Sequence, residues 1–177
     1  MTASARAMSR LATVTRRGFR NHHPFGVALR RFLLSRKALA LLPDCGWLDG
    51  GCLVLSDALV RWSEGTLRPG GTLRPKEDRL FLDHAFAWIV VDGAPCILDG
   101  DGLQSEYALR RKLELLEHAP PLEVRYSDCS GLAVGILRDS AASDRLATLL
   151  ERRFGPFTPG LIAPALTGAV RAPRGTQ

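Results

Sequence analysis

Long apolar runs are missing from this 177-residue sequence, and with them any stretch near the roughly 18 residues that a membrane-spanning helix needs. Cysteine and histidine are scarce, at four each. Cys45, Cys52, Cys96 and Cys129 form no CxxC, and His22, His23, His84 and His118 make no zinc spacing with them. The reading is therefore free thiols in a reducing compartment, taken as the cytoplasm, with no metal and no cofactor. Acidic residues are absent before Asp44, whereas nine of the 24 Lys and Arg fall in that span. The net charge of +6 thus belongs to an N-terminal arm, and the remainder is slightly acidic.

Three readings compete for the first part of that span, the basic arm of residues 1–24, which holds five of the nine. A mitochondrial-type presequence is Arg- and Ser-rich and acid-poor, as this stretch is, while a secretory signal would need an apolar core that it lacks. Clustered Arg also suits contact with nucleic acid or another anionic partner, through counterion release. The plainest reading is a disordered extension. Residues 25–157 then form one α+β domain, for which 46% hydrophobic and 24% charged residues are ordinary. Residues 158–177 read as a Pro- and Gly-punctuated tail that packs loosely.

Within the domain, "FGVALRRFLLSRKALALL" spaces Phe25, Leu29, Phe32, Leu33, Lys37 and Ala40 near one face and predicts an amphipathic helix over 25–42. "CLVLSDALVRW" repeats apolar residues at helical spacing and places Cys52 in the first turn of a buried helix, behind Gly50 and Gly51. "SEGTLRPGGTLRPKEDR" has turn chemistry around its Gly-Gly and predicts a mobile surface loop. "LFLDHAFAWIVV", "DGAP" and "CILDGDG" read as strand, turn and strand, a β-hairpin with His84 on the first strand and Asp99 ending the second. A helix follows over "LQSEYALRRKLELLEH", capped by Ser105, with Arg110, Arg111 and Lys112 on a solvated side. "LEVRY" and "LAVGIL" are expected strands, and "SAASDRLATLLERRFG" an expected helix stopped by Gly155.

One combination carries chemistry. Cys52 opens a helix, whose N-terminal partial charge and free N-H groups favour thiolate over thiol. His84 lies 32 residues on and Asp99 another 15. An imidazole next to a thiolate forms an ion pair and later protonates the leaving group, and a carboxylate on the neighbouring strand fixes its tautomer. The glycines before Cys52 would leave the sulfur open to a substrate carbonyl. Asp101 is a competing carboxylate, because residues two apart on a strand share a face. The Cys52 backbone N-H is the first candidate donor to an oxyanion and the Trp47 indole the second. Asp99 and Asp101 also look like the start of a calcium loop, but Leu103 and Arg110 stand where ligands are needed.

"GGCLVLSDAL", "HAFAWIVV" and "CILDGDG" together resemble the transglutaminase-like and arylamine N-acetyltransferase-like branch of the papain-like thiol fold. The same layout is similar to that of small bacterial and phage proteins with a GGC…H…D pattern. The resemblance covers residues 44–118 and departs from the family after His84-Ala85, where Phe86 precedes Ala87 and Trp88, and after Asp99, where Gly100 and Asp101 follow. It implies N-terminal helices packed on a small antiparallel sheet, with Cys52 as nucleophile, His84 as base and Asp99 as orienting carboxylate. The implied function is cysteine-dependent acyl transfer or amide hydrolysis on a peptide, protein amide or acyl donor. The alternative is a non-catalytic binding protein on the same fold, its basic arm contacting nucleic acid or an anionic partner. Neither reading involves a membrane.

Overall fold

The computed structural model describes residues 23–42, 45–76, 79–117, 123–133 and 136–163. Nearly all of the basic arm, and the tail from residue 164, lie outside the described residues. Helix α1 spans Pro24–Leu33, with Pro at its first position and the His23 Nδ1 accepting the Gly26 N-H at 3.2 Å. The single helix expected over 25–42 is in fact two. Ser35 adopts an extended backbone and its hydroxyl caps a second short helix, α2 (Arg36–Leu39). A serine side chain competes for backbone N-H groups in this way, so it breaks a helix whose apolar pattern continues.

Helix α3 spans Cys52–Trp62 and is buried on most sides. The segment after it was expected to be a loop, but it is strand β1 (Arg68–Lys76), paired antiparallel with β2 (Arg79–Val91). Its glycines serve close approach and not a turn: a Cβ on Gly70 would sit 2.5 Å from the Phe86 ring, and one on Gly71 would run into the Leu82 side chain. Pro69 and Pro75 lie beyond Gly71–Leu73, the stretch where β1 pairs with its outer neighbour, so their missing N-H groups cost no ladder bond there.

Strands β3 (Ala94–Asp99) and β4 (Gly102–Ser105) continue the meander, followed by α4 (Glu106–Glu117) and β5 (Glu123–Arg125). The five-stranded sheet is antiparallel throughout, in the order β4-β3-β2-β1-β5. Residues 103–105, expected to begin a helix, instead form most of edge strand β4, and the Ser105 hydroxyl then caps α4 through the Ala108 N-H. "LAVGIL" forms no strand among its described residues. A 3-10 turn covers Ser130–Leu132, and Leu137 donates its N-H to Gly50 O at 3.1 Å. Helix α5 (Ser140–Phe154) ends at Gly155 with φ 78°, the left-handed backbone that favours glycine.

The main core lies between one face of the sheet and α1, α3 and α5, built from Leu29, Leu55, Leu59, Ala87, Leu98 and Leu146 among others. Helix α4 covers the opposite face, where Phe86, Ile97, Leu109 and Leu113 cluster. The start of the tail belongs to the core: Phe157 packs on Trp62 with ring centroids 5.1 Å apart, and Ile162 is fully buried. Among the described residues no helix is long and apolar enough to cross a membrane.

Candidate active site

Cys52 is the first residue of α3, with Gly51 as its N-cap. The two glycines before it were expected to open access to the sulfur, but packing and backbone shape account for them. Gly50 has φ 89°, and a Cβ on Gly51 would meet Leu42 Cδ1 at 2.7 Å and Gly46 O at 2.8 Å. The tight loop at Gly46–Gly50, closed by the Gly51 N-H to Gly46 O at 2.9 Å, fixes where the helix begins.

The hairpin decides what the sulfur meets. Asp92 and Gly93 both have positive φ, 51° and 78°, as a two-residue type I′ turn requires. Such a turn makes Val91 and Ala94 a hydrogen-bonded pair, so Ile89, Ala87 and Ala85, at alternate positions, direct their N-H groups toward the lane of β3. β3 stops at Asp99, and the pairing of β2 with it ends at Ala87–Leu98. The Ala85 N-H, left without a strand partner, acts on the Cys52 sulfur together with the Leu53 N-H and the His84 ring, each favouring the thiolate.

The other side of the ring completes the chain. His84 Nε2 is 3.1 Å from Asp99 Oδ2, which leaves Nδ1 for the sulfur. Asp99 Oδ1 accepts the Asp101 N-H at 2.9 Å. The same Oδ2 that faces the imidazole also accepts Gln104 Nε2 at 2.5 Å and Lys112 Nζ at 2.6 Å. Asp101 turns away from the ring: its carboxylate lies 3.2 Å from Lys112 Nζ and 3.7 Å from Arg30 Nε. Both acidic groups of the calcium-like "DGDG" therefore face an ammonium.

Two sequence expectations are overturned. The Trp47 indole N-H donates to Leu33 O at 2.7 Å and is buried there, so it is committed to the backbone and not held ready for an oxyanion. Lys112, placed on a solvated helix side, is 1% exposed. The signal was present in the helical spacing, because positions 109, 112 and 113 form one stripe and Leu109 and Leu113 are core residues. Gln104 had no comparable signal, since its stretch read as helix and not as edge strand.

Electrostatics follow from these contacts. Burial pushes the Cys52 thiol up, but the hydrogen bond and charge of His84, with the N-H groups of Ala85 and Leu53, outweigh it and leave the thiol below its ordinary value. Burial pulls His84 down, but the hydrogen bonds and charges of Asp99 and Cys52 raise it to about 9. Asp99 is held well below the carboxylate range: burial opposes ionisation, while Lys112 and His84 favour it. Both shifts favour a thiolate beside an imidazolium over the neutral thiol and imidazole.

The three groups are also enclosed: Cys52 is 2% exposed, His84 3% and Asp99 1%. Cys52 shares an apolar cluster with Leu53, Leu73, Leu82, Ala85 and Cys129, against which Leu132, Ala133 and Ile136 pack. A cleft of about 440 Å³ begins at the next residue, Leu53, and is lined by Asp57, Arg61, Asp128 and Arg138 among others. No protein-family model, no curated protein and no solved structure matches the chain.

Proposed function

We propose that the protein performs cysteine-dependent acyl transfer or amide hydrolysis through Cys52, His84 and Asp99, on a core of the papain-like, transglutaminase-like kind and in a reducing cytoplasm. The supporting observation is the His84 imidazole, 3.1 Å from the Asp99 carboxylate and acting by hydrogen bond and charge on the Cys52 sulfur, with the three groups drawn from α3, β2 and β3. The Cys52 thiolate attacks an amide or thioester carbonyl, and the oxyanion that forms takes the backbone N-H of Cys52. The imidazolium of His84 gives its proton to the departing amine or thiol, leaving an acyl-enzyme. Water or an amine then attacks that ester of sulfur, with neutral His84 taking its proton, and the thiolate is restored. Substrates in this scheme are a peptide, a protein amide or an acyl donor, which must displace part of the apolar wall at Leu132, Ala133 and Ile136.

Labelling with iodoacetamide at pH 6, followed by mass-spectrometric mapping, tests the reading. Cys52 is expected to react ahead of Cys96 and Cys129, whose thiols are raised, in both cases chiefly by burial. Equal or slower labelling of Cys52 would sink it. The enclosure of all three groups favours a second reading, a non-catalytic binding protein in which the chain is core architecture and the basic arm contacts nucleic acid or an anionic partner. That reading requires affinity for an anionic partner that falls with salt and is lost when residues 1–24 are removed.

A further inference from the structure

Lysine is rarely found fully buried, and the space between Leu109 and Leu113 on α4 would accept an apolar side chain at lower cost than an ammonium with its desolvation. Lys112 nevertheless occupies it, reaching Asp99 Oδ2 at 2.6 Å and Asp101 Oδ2 at 3.2 Å. The result is a line of alternating charge from the nucleophile to the protein surface: Cys52 negative, His84 positive, Asp99 negative, Lys112 positive, Asp101 negative, and Arg30 of α1 positive. The other ionisable groups near Lys112 on α4 are engaged elsewhere, Glu106 pairing with Arg110 at 2.7 Å and accepting the Tyr126 hydroxyl at 2.7 Å.

The crowding at Asp99 Oδ2 is what gives this line a consequence. Three donors share one oxygen, and the imidazole, at 3.1 Å, makes the longest of the three bonds, against 2.5 Å for Gln104 and 2.6 Å for Lys112. A carboxylate held that firmly by two other donors cannot swing with the ring, and it offers the ring only part of its charge.

We infer that Lys112 is a positioning residue of the thiol site: its ammonium clamps Asp99 in place and withholds part of the carboxylate charge from His84, so that the imidazolium stays acidic enough to give up its proton. The inference rests on the thiol reading of the site and names a contributor that lies outside the cysteine, histidine and aspartate of that reading. An imidazolium paired with an undivided buried carboxylate would hold its proton more tightly and serve less well as general acid.

The test is titration of the His84 Cε1-H NMR resonance in the full chain, with Cys52 labelling at pH 6 run alongside. In the unaltered protein the midpoint is expected at about 9. In Lys112→Met it is expected to rise by about one pH unit, the lower end of what one close charge does. Because the single variant takes the ammonium from buried Asp99 and from partly buried Asp101, the charge-balanced pair Lys112→Met with Asp101→Asn keeps the experiment readable if the single variant does not fold. A smaller rise in the same direction is expected there. A folded variant whose His84 midpoint is unchanged, with Cys52 still preferentially labelled, overturns the role of Lys112 and leaves the thiol site standing. Loss of preferential labelling in the unaltered protein, with His84 titrating near 6.5, instead defeats the thiol reading itself.

Discussion

The Ala85 N-H acts on the Cys52 sulfur, favouring its thiolate, at the point where β3 ends and its lane beside β2 falls empty. A sheet edge is thereby used to hold a thiolate. The helix start at Gly51 and the strand end at Asp99 are both needed for the contact, and neither alone would set it.

Replacing the nucleophile separates chemistry from architecture. Cys52→Ala is expected to abolish acyl transfer while costing about 1 kcal/mol of stability, as small truncations in a packed cluster do. Urea denaturation of the variant and an activity-based probe on the parent protein provide the two readouts.

The paired charges have a distinctive effect on stability. A raised His84 stabilises fully below about 6.5, and that contribution is lost as pH climbs through about 9. A lowered Cys52 does the reverse, stabilising above the ordinary thiol value and losing that contribution as pH falls through its depressed value. Where the two windows overlap, the fall from His84 and the rise from Cys52 oppose each other and flatten the pH dependence. Cys52→Ala removes the Cys52 rise together with the part of the His84 shift that Cys52 supplies, and is expected to leave a fall with pH confined to a narrower window, set by Asp99. Denaturation midpoints at pH 6.5, 7.5 and 8.5 measure it, and a fall in the variant that continues undiminished to pH 8.5 would show that Cys52 contributes nothing to the His84 shift and so contradict the ion pair.

Asp99 and Asp101 are told apart by substitution. Asp99→Asn removes the charge facing the imidazole and is expected to slow Cys52 chemistry about a hundredfold or more. Asp101→Asn, which alters a group directed at Lys112 and Arg30, is expected to slow it less than tenfold. Comparable losses from both would mean that the ring takes its orientation from elsewhere.

Gly51 supplies the fourth prediction. A methyl group there meets Leu42 and the Gly46 carbonyl, and backbone cannot yield as a flexible side chain can. Gly51→Ala is expected to cost about 1–3 kcal/mol and to lower Cys52 reactivity by shifting the helix start. A variant with unchanged melting temperature and unchanged labelling would show that the loop tolerates the shift.

Much of this was legible in the sequence where a local rule and the tertiary setting agree. Apolar spacing marked α3 and α5, Gly155 marked the end of the latter, and Asp92-Gly93 marked the hairpin that carries His84 and Asp99. The failures share a cause. Gly70-Gly71 has the chemistry of a turn, but Phe86 and Leu82 lie across those positions and leave room for no side chain, so partners distant in sequence decided for a strand. Ser35 split a helix whose periodicity ran on. Lys112 was assigned to solvent by its charge, when its position in the helical stripe pointed inward to two carboxylates that only the folded chain brings together.

The Asp92-Gly93 turn has a reach beyond its own loop. Seven steps of extended chain, about 24 Å, separate Asp92 from Ala85, yet the turn, together with the pairing to β1, sets the phase in which the N-H groups along that strand are presented. Adding a single residue at the tip would set the pairing with β3, which the turn fixes, against the pairing with β1, which it does not. Insertions at this outlying point therefore ask whether the edge presented at Ala85 is governed from the turn or from β1, without touching any group around the thiol.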